Sequence, residues 1–200
     1  MINPYAISAI INLGQKNLDH PVILKINERS SQASAFKQVL LEHLKSLRIG
    51  ILADNGGESP LLISIDDELV VTLIYRGTRY DIAKSSENRN EVQTFFYAQE
   101  DGGFYEHHNA PGFHSIHITK GDGYPAFVAG VVLGVLAEYS PIEILHVATL
   151  FAGVILDQQK LTYSNALTLA KSCNLRYNCE LVGNIYQANY IPNTDIEVIN

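Results

Sequence analysis

Tyr124-Pro125-Ala126-Phe127-Val128-Ala129-Gly130-Val131-Val132-Leu133-Gly134-Val135-Leu136-Ala137, followed directly by Glu138-Tyr139-Ser140-Pro141-Ile142-Glu143, is where the architecture of this chain first becomes readable. No charge interrupts the run from Ala126 to Ala137. Spanning a bilayer takes about 20 apolar residues in a helix, and this run is shorter. Glu138, Ser140, Pro141, Glu143 and His146 break any longer span. A glutamate at mid-membrane should be about as unfavourable as the ~2.5–3.5 kcal/mol found for other charges. A membrane span is therefore excluded, and a helix apolar on every side reads as an interior helix. Ser140 with Glu143 three residues later forms a capping box, and Pro141 suits the first helical position. A second helix should run from there to about Leu156.

Small residues recur every fourth position, as Ala126, Gly130 and Gly134 and then as Ala148 and Ala152. Glycine inside a helix costs roughly 0.5–1 kcal/mol relative to alanine, so close backbone approach must offset it. The two helices are expected to nest as a C-terminal apolar helical hairpin. In the functional version of this reading, part of the hairpin is a subunit interface in a homo-oligomer.

Upstream the pattern changes to strands. Leu61–Ile65 and residues 69–75 flank Asp66-Asp67-Glu68, and residues 79–83 follow the break at Gly77. Residues 91–98 and 104–108 flank Asp101-Gly102-Gly103, and 113–119 alternate after Pro111-Gly112. Consecutive hairpins predict a mostly antiparallel sheet over about residues 48–119. Residues 54–60 form the clearest turn, and 85–90 a polar loop. Nearer the N-terminus, Asn3-Pro4 opens a helix over 4–17 and residues 21–26 read as a buried strand. Ser30-Ser31 start a second helix, and 48–53 a short strand. Ser164 is expected to cap a last helix ending near Asn174. No repeat or linker is visible, so residues 1–200 read as a single α+β domain.

Composition narrows the function classes. A 200-residue chain that is 46% apolar has enough material for a core without staples, since a chain of this size buries roughly 70% of its unfolded surface. The net charge of −7 and scattered basic residues (Lys37, Lys45, Arg48; Arg76, Arg79) disfavour nucleic acid as a partner. Cys173 and Cys179 fit no common zinc spacing and read as reduced thiols. The first 20 residues lack the features of a signal peptide, which points to a cytoplasmic protein.

Gly121-Asp122-Gly123-Tyr124-Pro125-Ala126-Phe127-Val128-Ala129-Gly130, with the helix pair after it, resembles the C-terminal signature of ribokinase-like sugar kinases. In that family a Gly-Ala-Gly-Asp element opens a small-and-apolar helix, and its aspartate is the catalytic base. The likeness covers under a fifth of this chain, and the aligned position is Pro125. The upstream strands do not read as a βαβ sheet. The likeness is therefore taken as one of helix packing rather than of kinship.

Four of the seven histidines, His107, His108, His114 and His117, fall within 11 residues. Histidine is the usual acid/base near neutral pH and a common metal ligand, so any chemistry is expected here. His114 and His117 would face opposite sides of a strand. His108 and His117 converge if a Pro111-Gly112 turn pairs their strands, with Glu106 as a third ligand. Lys120-Gly121-Asp122-Gly123, ahead of a helix, offers backbone donors and a carboxylate. The candidate catalytic residues are thus His108, His117 and Asp122, and the candidate ligand-binding residues Lys120, Gly121 and Gly123. No metal motif, nucleophile elbow or phosphate-cradling loop accompanies them, so no cofactor or metal is assigned. The reading that follows is a non-catalytic binding or assembly protein acting through the apolar helical hairpin or a sheet edge. The alternative is a small-molecule enzyme, such as a metal-assisted hydrolase, with a histidine-lined site at 106–122.

Overall fold

Ser30 accepts the backbone N–H of Ala33 and starts α1 (Ser31–Ser46), which buries Ala33, Phe36, Leu40 and Leu44 along one stripe. The computed structural model describes residues 10–11, 22–26, 30–52, 61–84, 93–99, 101–106, 108–110, 112 and 121–172. The expected turn at 54–60, loop at 85–90, strand at 113–119 and both cysteines lie outside these, as does the 4–17 helix apart from 10–11.

Helix α1 connects β1 (Val22–Ile26) to β2 (Ile51–Leu52), and the two strands are parallel. This is a βαβ unit within a sheet that is not a βαβ sheet overall, since four of its seven described ladders are antiparallel. The other strands are β3 (Leu61–Ile65), β4 (Val71–Tyr75), β5 (Thr78–Lys84), β6 (Thr94–Ala98), β7 (Gly102–Tyr105) and β8 (His108–Ala110). They form one sheet in the order β2-β1-β3-β4-β5-β6-β7-β8. Ladders β3–β4, β4–β5, β6–β7 and β7–β8 are antiparallel, whereas β1–β2, β1–β3 and β5–β6 are parallel. The class is α+β with more antiparallel than parallel pairing. The sheet begins at Val22 rather than near residue 48, because β1 inserts between β2 and β3.

Two turn expectations also shift. The hairpin after β6 turns before Gly102, and both Gly102 and Gly103 are strand residues. Gly103 is needed there because a Cβ would press on Thr149 and lie 2.8 Å from Phe127. The last described helix, α4 (residues 163–172), is capped two residues earlier than expected. Thr162 Oγ1, not Ser164, accepts the Asn165 N–H at 3.1 Å.

Alternation gives the sheet two unlike faces. Leu61, Ile63, Ile65, Val71, Leu73 and Tyr75 are buried on one of them. Over this side lie α2 (Tyr124–Leu136) and α3 (Pro141–Leu156), in contact with each other. Every residue of α2 is buried. Full burial of a valine, leucine or phenylalanine contributes roughly 1.5–3 kcal/mol, so this layer dominates the core. A Cβ on Gly130 would strike the Ala148 backbone, and one on Gly134 would lie 2.7 Å from Ile144 Cγ1. Ser140 and Glu143 form the capping box that starts α3. Among the described residues no helix is long and apolar enough to cross a membrane.

Candidate functional site

The start of α2 sits above the end of β5. Lys84, the last residue of β5, is the register partner of Tyr97 on β6, and Gly103 and Ala110 continue the row across β7 and β8. Asp122 Oδ1 accepts the Tyr124 N–H at 2.9 Å, satisfying one of the donors that a helix start leaves open. Its Oδ2 meets Lys84 Nζ at 2.7 Å. The Lys84 and Asp122 side chains are 50% and 47% exposed, and an ion pair this exposed is worth ~0–1 kcal/mol. Lys84 Nζ also stands 5.4 Å from the centre of the Tyr124 ring.

Two tyrosines underlie this pair. The buried Tyr124 hydroxyl lies 2.8 Å from the Leu69 carbonyl and 2.9 Å from that of Ile82, and it shares its one proton between them. Burial, helped by Asp66 and Asp122, pushes the Tyr124 phenol well up. Tyr97 is only 3% exposed. Its phenol is also raised, first by burial and then by the Asp122 carboxylate, while the Gly123 backbone amide works the other way. The Tyr97 hydroxyl packs against Gly123 without a hydrogen bond of good geometry. Phenols held this firmly neutral do not serve as bases at ordinary pH.

Of the six candidate residues, His117 and Lys120 lie outside the described residues. His108 is exposed and opens β8, where it pairs with Tyr105. It does not end the preceding strand as expected, because Glu106 at φ 50° turns the chain before it. His108 is thus three strands from β5, roughly 14 Å at the usual strand spacing. The structure brings Asp122 to Lys84 and leaves His108 on another part of the sheet. Gly121 is exposed at φ 135°, where open space surrounds it, whereas Gly123 is buried. Among the described residues, no three His, Cys, Asp or Glu side chains could together hold a metal ion.

Lys84 and Tyr97 escaped the sequence reading because nothing local marks them. Their meeting with Asp122 depends on strand register and on where α2 lands. Pro125, at the position of the sugar-kinase base, lies within the first turn of α2 and brings no carboxylate. The nearby Asp122 is already engaged by its own helix and by Lys84.

The opposite face of the sheet is not the one that α2 and α3 cover, although Thr94 and Phe96 on it are buried. Leu62, Ile74 and Arg79 form one cross-strand row on it, and Ser64, Thr72, Asp81 and Thr94 form the next. Ile74 is 40% exposed. Thr72 Oγ1 donates to Asp81 at 2.7 Å, and Arg79 Nε donates to both oxygens of the same carboxylate at 3.0 Å. No family model matches this chain, and no curated protein or solved structure is significantly similar to it.

Proposed function

We propose that this protein is a non-catalytic binding or assembly protein that makes its contact through the sheet face opposite α2 and α3, around Ile74. The observation that carries the reading is Ile74, a large aliphatic residue left 40% exposed in mid-strand, beside half-buried Leu62 and exposed Arg79. A contiguous apolar surface rimmed by polar side chains is common at interaction sites, and Ile74 and Leu62 form such a cross-strand pair beside Ser64, Thr72 and Arg79. The hairpin cannot fill this role as freely, since every residue of α2 is already buried within the chain. A catalytic reading draws little support from the start of α2, where Lys84 and Asp122 satisfy each other and both phenols are held neutral.

The expected contact is weak. Strands β3 to β5, five residues deep, offer a surface of roughly 14 by 17 Å. That is well below the ~800 Å² per partner of a standard interface. Light scattering across a dilution series, combined with fluorescence of an apolar reporter dye, tests the reading. Either reversible self-association or dye binding that Ile74→Asp abolishes is the expected result. A protein that stays monomeric at every concentration and leaves the dye dark would overturn it. The enzyme alternative is separated by metal analysis: stoichiometric zinc or manganese in the purified protein, lost on His117→Ala, would favour that alternative.

A further inference from the structure

We draw no further inference here: the strongest candidate, the Lys84, Asp122 and Tyr97 side-chain cluster at the start of α2, belongs to the site already described, with Lys84 and Asp122 engaged by each other and the Tyr97 hydroxyl closed off by Gly123.

Discussion

The two faces of the sheet differ in how much freedom their residues have left. On the helical side, α2 and α3 approach so closely that Gly130 and Gly134 have no room for a side chain. On the other side, between β3 and β5, Ile74 stands exposed beside a polar cluster of Thr72, Arg79 and Asp81. One face is committed to holding the chain together, whereas on the other Ile74 and Arg79 stay exposed although Thr94 and Phe96 are buried. Substitutions should therefore be severe on the first face and nearly silent for stability at the exposed positions of the second.

The largest effect is expected at Gly130→Leu. The added side chain must displace the Ala148 backbone, which cannot relax as a flexible side chain can. Overpacking of this kind usually costs 1–3 kcal/mol, and against backbone we expect ~4 kcal/mol or more. Urea denaturation would measure it. A variant as stable as the parent would show that the two helices are not held this close.

Tyr124→Phe comes next. It leaves the Leu69 and Ile82 carbonyls without their buried donor at an otherwise unchanged ring. A loss of ~1–3 kcal/mol in the same measurement is expected, and no loss would mean that water replaces the hydroxyl.

A smaller, pH-dependent effect should come from His146. It is 7% exposed on α3, its Nδ1 has no hydrogen-bond partner among the described residues, and burial lowers its pKa from 6.5. Below pH 6.5 the unfolded chain binds this proton more readily than the folded one. Stability attributable to His146 is therefore full above pH 6.5 and declines as the pH falls toward the lowered folded value. His43, also lowered by burial, acts in the same direction. Thermal melts at pH 7 and pH 5 should differ less in His146→Leu than in the parent; an equal difference would remove His146 from the pH response.

The smallest change in stability belongs to Ile74→Asp, within about 0.5 kcal/mol, as for most surface substitutions. Combined with loss of association or dye binding, that silence would mark the sheet face around Ile74 as a contact surface. Destabilisation beyond 1 kcal/mol would show instead that Ile74 belongs to the core.

Much of the fold was legible because it is written in local chemistry. The capping box at Ser140, the start at Ser30, the β3–β4 hairpin around Asp66 and the start of β5 after Gly77 all use residues adjacent in sequence. Asp66 shows why such a signal is reliable: its own Oδ1 accepts the N–H groups of Glu68 and Val70, so the turn is specified within five residues. Gly102 and Gly103 misled for the opposite reason. A glycine needed for a turn and one needed beneath a helix look identical in sequence, and only Thr149 and Phe127 above Gly103 distinguish them. The site was less legible still. Asp122 was found because it precedes a helix, but Lys84 lies 38 positions away and carries no local mark.

Among the described residues, periodicity and capping were enough for the helices over 31–46, 124–136 and 141–156, for most of the strands and for the burial of the apolar run after Gly123, because they act over a few residues. Tertiary structure alone decided that β1 lies parallel between β2 and β3, that Lys84 rather than His108 meets Asp122, and that Ile74 remains outside. Those outcomes depend on which backbone edges pair and which face the helices cover. Strand pairing and layer packing join groups far apart in the chain, and no single stretch of residues contains that information.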